Sequence, residues 1–367
     1  MSDWKQYLTK AEIQFQRFRR KYLTHRKPLM IQPYMGYATG ARVYLRGRVL
    51  EDEGITPAAD NDTIWKNLLN MYRRFETDEV GGAVVQARFG SHEVEAVTGE
   101  EGFFTFDFAL AEPLPSDQTH HHIPLELMSA PHYKLEEKVT ATGDLIVPSN
   151  QAEFAVISDL DDTVLKTNVL DRLKMARNTF LRNSHDRLPF PGVAAFYRAL
   201  QSGVSQVFNP IFYVSSSPWN LYDLIMEFFE VRGIPPGPIF LQDFGITPTQ
   251  FITADHDEHK LGYIHRLLHD YPNLPFVLIG DSSQRDPEIY RQVVEANPDR
   301  IKAIYIRDVT PNRRDDEIEK LMATVTALNV EMLLIPDTLI AAKHAAANGL
   351  IDESAIEAIA ADMKEND

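Results

Sequence analysis

Five short apolar runs, FAVIS, IFYVS, PIFLQ, FVLIG and AIYIR, recur between Phe154 and Arg307, each separated from the next by enough residues for a crossover helix. A strand with one face in water alternates apolar and polar residues, whereas a strand covered on both faces is apolar throughout. Continuous apolar strands alternating with helices are the mark of a parallel sheet packed on both sides. The intervening segments fit: LYDLIMEFFEVRG has helical spacing and closes on Gly233 with prolines beyond, and HKLGYIHRLLHDYP stops at Pro272. Residues 151–327 are therefore predicted to form a Rossmann-like, doubly wound α/β domain, followed by a helical extension over 328–367.

The pattern upstream is different. VYLRGRVL, AVVQARFG, HEVEAVTG, FFTFDFAL, HIPLELM and VTATGDLIV are short alternating stretches broken by turn residues, which predicts an antiparallel β-sandwich over 28–150. Glu101-Gly102 suits a hairpin turn between two of them. Within this domain, NDTIWKNLLNMYRRFETD has a polar cap at Asp62 or Thr63 and apolar residues at Ile64, Leu68, Met71, Tyr72 and Phe75, predicting a helical insertion at about 60–77. Residues 1–27 read as a basic amphipathic helix.

Charge narrows the partners. The net charge of −16 repels a phosphate backbone and argues against nucleic acid as a ligand. Residues 1–27 depart from this, with eight basic residues against Asp3 and Glu12, so that end carries +6 on an acidic body. With Trp4, Tyr7, Leu8, Ile13, Phe15, Phe18 and Leu23, the helix has the composition either to dock on the fold or to lie on an anionic membrane surface. No run of about 18 apolar residues occurs, and MSDWKQYLTK lacks the apolar stretch of a secretory signal, so the expected location is cytoplasmic, with peripheral membrane contact through the helix as an option. The chain contains no cysteine, so any metal must sit on oxygen or imidazole.

FAVISDLDDTV carries the sharpest chemical signal. An apolar strand delivers Asp159, Asp161 and Asp162 at its carboxyl end, the edge at which open α/β sheets bind ligands. Three carboxylates so close together repel one another unless a cation or a solvent-filled loop relieves them, and a hard divalent metal is the economical answer. FVLIGDSSQRD ends another strand with Asp281 and Asp286, a second pair of oxygen ligands. IFYVSSSPW ends a third with Ser215, Ser216 and Ser217, hydroxyl donors suited to phosphate oxygens. Lys260 opens a helix and adds a mobile positive charge.

The strand-end DxDxT, a serine closing the second strand, a helix-borne lysine and the GDSSQRD acidic pair, in that order over Phe154 to Asp286, resemble the four motifs of the haloacid dehalogenase superfamily. The resemblance implies that Asp159 attacks phosphorus to form an aspartyl phosphate, while Asp161 protonates the leaving oxygen and then activates water. It also implies Mg2+ held by Asp159, the Asp161 carbonyl and Asp281, with Asp286 as a further ligand or as support, and phosphate held by Ser215, Ser216 and Lys260. More closely, DLDDTV, FYVSSSPWNLY, GDSSQRDPEIY and YIRDVT look like the catalytic domain of the actin-patch-protein type of phosphatidate phosphatase, over about Phe154 to Thr310. That likeness implies hydrolysis of phosphatidate to diacylglycerol and phosphate. Fewer than 50 residues separate Thr163 from Ile211, and again Ser215 from Lys260, leaving no room for a large cap and hence an open site. An open site suits a lipid phosphate, and equally a phosphoprotein or an inositol phosphate. A non-catalytic membrane or protein adaptor would have lost an essential carboxylate, and none is missing. Arg307, just after the fifth apolar strand, suits either a headgroup phosphate or a carboxylate partner.

Overall fold

The computed structural model describes residues 28–52, 79–112, 114, 118–160, 163–164, 190–242, 254–309 and 314–365. The helices expected over 1–27 and 60–77, and Asp161, lie outside these. Among the described residues the chain divides into two compact units, one of residues 28–36, 43–110 and 122–145, the other of 37–42, 111–121 and 146–365.

Among the described residues the N-terminal sheet has eight strands: β1 (Leu29–Pro33), β2 (Gly36–Ala38), β3 (Arg42–Glu51), β4 (Val84–Phe89), β5 (His92–Val97), β6 (Phe103–Ala109), β7 (His120–Ser129) and β8 (Thr140–Ile146). They form one hydrogen-bonded network in the order β1-β3-β2-β8-β7-β4-β5, with β6 paired to β3. Pairing is antiparallel for β1 with β3 and for β4 with both β5 and β7. The six alternating segments expected from sequence each supply a strand, β3 to β8. β8 shows the cause, since exposed and buried residues alternate until Leu145 and Ile146 both go inside. β1 and β2 escaped notice because one ends in proline and the other has three residues. The turn at Glu101-Gly102 is present. Gly102 sits at φ +76°, and a Cβ there would lie 2.6 Å from the Val49 carbonyl oxygen, so no other residue fits.

The second sheet is entirely parallel, in the order β11-β10-β9-β12-β13-β14, built from β9 (Ala155–Asp159), β10 (Ile211–Pro218), β11 (Ile239–Gln242), β12 (Phe276–Asp281), β13 (Ile301–Arg307) and β14 (Glu331–Ile335). Every residue of β9, β11 and β12 is buried, which is what their unbroken apolar sequences required. Between the strands run α1 (Val193–Ser202), α2 (Tyr222–Arg232), α3 (Ala254–Asp270), α4 (Asp286–Ala296) and α5 (Asp315–Thr326), with α6 (Thr338–Ala347) and α7 (Ala355–Glu365) after the last strand. α2 stops where expected: Gly233 is left-handed at φ +64°, and its N–H returns to the carbonyls of Glu230 and Phe229.

One expectation is corrected. The segment after residue 327 is not wholly helical, because Glu331–Ile335 forms β14 and extends the sheet in register with Ala303–Arg307. β14 is an edge strand, only partly buried, and EMLLI opens on an exposed glutamate instead of running apolar from its start.

Strand order places the ligand-binding edge. From β9 the chain moves to β10 and β11 on one side, then crosses to β12, β13 and β14 on the other. Neighbouring crossovers diverge at β9 and β12, and the crevice beyond their carboxyl ends is the natural binding position.

Candidate active site

Asp159 is the last residue of β9 and Asp281 the last of β12, and these strands are hydrogen-bonded neighbours, with Ile279 level with Ser158. Asp286 begins α4, five residues on. One carboxylate oxygen from each of Asp159, Asp281 and Asp286 lies within 4.8 Å of the others, all three are buried, and this is the only such cluster of possible metal ligands among the described residues. Lys260 on α3 is buried between two of them, its Nζ forming an ion pair with Asp159 Oδ1 at 2.9 Å and donating to Asp286 Oδ1 at 2.5 Å. The acidic and basic residues predicted from three separate segments therefore share one cluster. On the other side of β9, Val214 is level with Asp159, which puts Ser215 one residue beyond it on β10. Ser215 is fully buried, its Oγ accepting the Ser217 N–H at 2.9 Å, while Ser216 is half-buried. The Thr163 hydroxyl lies 3.5 Å from Asp159 Oδ2, at the outer limit of a hydrogen bond, and the Val164 N–H returns to the Leu160 carbonyl.

The loop after β12 shapes Asp281. Its Oδ1 accepts three donors: the Ser283 N–H and hydroxyl, both at 2.6 Å, and the Gln284 N–H at 3.0 Å. Its Oδ2 is buried and has no hydrogen-bond partner among the described residues. Asp286 is committed at both oxygens, Oδ1 to Lys260 and Oδ2 to the Asp281 N–H at 3.1 Å. Gly280 makes this approach possible, because a Cβ there would stand 2.5 Å from Asp286 Oδ2 and 2.6 Å from its Cβ. Ser283, Gln284 and Gly280 were not singled out from sequence. Their signal was GDSSQRD itself, where a glycine before the first aspartate and small polar residues after it leave the backbone free to wrap a carboxylate.

Electrostatics point the same way. Burial, reinforced by the neighbouring Asp286 charge, pushes the Asp281 carboxyl up to about 7, against the pull of Ser283, Lys260 and Gln284. Burial would lower the Lys260 ammonium, but the charges of Asp159 and Asp286 outweigh it and hold the group above its ordinary value. Among the described residues, three buried carboxylates share a single ammonium, so negative charge is in excess there. An all-oxygen donor set with one orphaned buried carboxylate oxygen fits a hard cation.

Arg307 ends β13 level with Asp281. It is buried, donates through Nη2 to Thr338 Oγ1 at 3.1 Å and lies 4.3 Å from the centre of the Phe190 ring, so it meets a hydroxyl and an aromatic face. Burial lowers it to about 10. Ser158 ties β9 to α1, its hydroxyl lying 2.7 Å from the Tyr197 hydroxyl and donating to the Asp159 carbonyl.

This cluster lies in a stretch with a recognisable sequence. Residues 154–308 match the family model of the catalytic domain of phosphatidate phosphatase APP1. The resemblance read from the motifs thus holds over that segment. Phosphatidate phosphatase APP1 of Saccharomyces cerevisiae is 35% identical to the chain over 155 residues, covering 42% of this chain and 26% of that protein. An uncharacterized protein of Schizosaccharomyces pombe is 26% identical over 220 residues, covering 59% of this chain and 35% of that protein. The chain spans between a quarter and about a third of the length of these curated relatives. Among solved structures, a carbohydrate acetylesterase from Xanthomonas citri aligns at a TM-score of 0.24 and 9% identity, over 80% of this chain and 72% of that one, too slight a likeness to bear on fold or chemistry. No described helix is long and apolar enough to cross a membrane.

Proposed function

We propose that the APP1-type segment is a Mg2+-dependent phosphatidate phosphatase that releases diacylglycerol and phosphate through an aspartyl phosphate on Asp159. The observation that carries this reading is the buried cluster of Asp159, Asp281, Asp286 and Lys260, inside a segment that matches a phosphatidate phosphatase catalytic domain.

The residues divide the work. Asp159, at the end of the central strand, attacks phosphorus with one carboxylate oxygen, and the ester oxygen departs with the bonding pair. Asp161, two residues on, delivers a proton to that oxygen and later takes one from the water that splits the aspartyl phosphate. Lys260 offsets the Asp159 charge, which would otherwise oppose the approach of an anionic phosphate, and Ser215 and Ser216 donate to the transferring phosphoryl oxygens. Asp159 and Asp281 Oδ2 would hold Mg2+ together with the Asp161 carbonyl. When bound, the ion neutralises phosphate charge and fixes the line of attack. Since both Asp286 oxygens already carry hydrogen bonds, that residue serves best by seating Lys260 and the Asp281 amide. The basic segment 1–27, with its +6 charge, would bring the enzyme to an anionic bilayer where this substrate resides.

The test is phosphate release from phosphatidate in mixed micelles, with and without Mg2+, beside soluble phosphomonoesters at equal concentration and with Asp159→Asn as the blank. Mg2+-dependent turnover at least about tenfold faster on the lipid supports the reading, a difference of roughly 1.4 kcal/mol in transition-state binding. Fast turnover of an inositol phosphate or phosphopeptide with none on the lipid keeps the mechanism and rejects the substrate. No turnover of any ester rejects both.

A further inference from the structure

We propose that Arg314 is a positioning residue for the metal-binding loop, aiming Asp281 by gripping the backbone of the turn that holds it. This rests on reading Asp281 as a metal ligand.

Arg314 stands at the N-terminus of α5, outside the matched segment, yet its guanidinium reaches back across the loop between β12 and α4. Nη1 donates to the carbonyl of Ser282 at 3.2 Å and to that of Gln284 at 2.7 Å. Nη2 pairs with Glu288 on α4, and Nε donates to Glu317 Oε2 at 3.2 Å. One planar group thus joins two turn carbonyls, the first turn of α4 and the first turn of α5. A rigid fork can do this, and a flexible ammonium cannot do so at all four points.

The consequence for the metal site follows from peptide planarity. The Ser282 carbonyl and the Ser283 N–H belong to one peptide unit, which resonance keeps flat, so holding the oxygen sets the direction of the N–H. That N–H donates to Asp281 Oδ1 at 2.6 Å. The opposite end of Ser282 is also fixed, because its N–H donates to the Arg307 carbonyl at 2.8 Å and its hydroxyl accepts the Val309 N–H at 3.0 Å. With Oδ1 saturated by Ser283 and Gln284, the carboxylate cannot rotate without breaking three hydrogen bonds, and Oδ2 is left for a cation. Removing the groups that touch a metal ligand typically weakens metal binding about 10- to 100-fold, and Arg314 acts through those groups from one layer further out, so its effect sits at or below the lower end of that range.

The experiment is calorimetric titration of Mg2+ into the full chain, well below its unfolding temperature, for wild type, Arg314→Ala, Arg314→Lys and Glu317→Gln. Arg314→Ala is expected to raise the Mg2+ Kd several-fold, up to about tenfold, with turnover on phosphatidate recovered by excess Mg2+. Arg314→Lys, which keeps the charge beside Glu288 and folds even where the alanine variant does not, is expected to bind Mg2+ more weakly than wild type. Glu317→Gln, which removes an exposed partner of the same guanidinium, is expected to leave the Kd unchanged. Wild-type affinity in Arg314→Lys or Arg314→Ala, with or without a fall in Tm, overturns the proposal and leaves the metal site standing. Absence of Mg2+ binding by the wild type overturns the metal site and this proposal together.

Discussion

Replacing Lys260 by methionine probes the charge balance of the site most directly. The substitution keeps the length of the side chain in a buried position and removes the one ammonium that meets Asp159 at 2.9 Å and Asp286 at 2.5 Å. Breaking a buried pair by deleting one partner costs about 3–5 kcal/mol, because the remaining charge is left desolvated and uncompensated. Both pairs here share one cation, so the two losses do not add, and about 3–5 kcal/mol is the expected total. Protonation limits it: Asp281 is already pushed up to about 7 against the pull of Lys260, so loss of the ammonium raises it further and it takes up a proton near neutrality instead of staying charged. The assay is thermal unfolding of the full chain at pH 8, in chelator and in Mg2+. For a unit of this size each kcal/mol moves Tm by about 2–4 °C, so the transition of the α/β unit should fall by about 6–20 °C in chelator. Mg2+ should raise Tm more in the variant than in wild type, since a divalent cation then supplies the charge that the lysine did. A loss under about 1 kcal/mol would show that the carboxylates are not held charged by Lys260, and an equal Mg2+ response in both proteins would show that lysine and metal do not serve the same carboxylates.

Asp159→Asn should leave less than about 1% of wild-type turnover, since an amide is a poor nucleophile and a weaker metal ligand, and greater residual activity would contradict covalent catalysis at this residue. Metal-free protein should lose stability as pH rises. Asp281 titrates near 7 when folded and near 4 when unfolded, so between those values the native state binds the extra proton and stability falls with increasing pH, levelling above about 7. Urea unfolding in chelator from pH 4.5 to 8 checks this, with Asp281→Asn as the reference that lacks the slope; matching profiles would refute it. Gly280→Ala drives a methyl into Asp286, disturbing both the Lys260 and the Asp281 amide contacts, and should cost about 1–3 kcal/mol by overpacking while weakening Mg2+ binding, seen by denaturation and by titration.

Much of the candidate site was legible because two of its carboxylates sit at strand ends. A continuous apolar run announces a buried parallel strand, and a carboxylate ending such a run lies at the edge where α/β sheets bind ligands, so Asp159 and Asp281 could be named together without knowing that β9 and β12 are neighbours. Lys260 was legible from motif order, while its simultaneous contact with two carboxylates was not. Gly280, Ser283 and Gln284 were legible only through GDSSQRD as a whole, since they contribute two backbone amides, one serine hydroxyl and the absence of a Cβ, which single residues do not advertise. Arg314 lies 28 residues beyond Asp286, on a segment that reads only as a charged helix start. β14 stayed hidden because an edge strand need not be apolar throughout.

By itself, the sequence determined the class of each half of the chain, through the change from alternating to continuous apolar runs at Phe154, and which carboxylates, serines and lysine stand at the ends of predicted elements. Tertiary structure decided which carboxylate oxygens are already satisfied and which are left for a cation. It also decided that the six-strand order brings β9 and β12 side by side, and that a guanidinium from α5 governs a turn beside the site. The division has a physical origin. Burial and periodicity are properties of a segment, written along the chain, whereas hydrogen-bond satisfaction and charge balance are properties of a neighbourhood, and the neighbourhood exists only once distant segments have met.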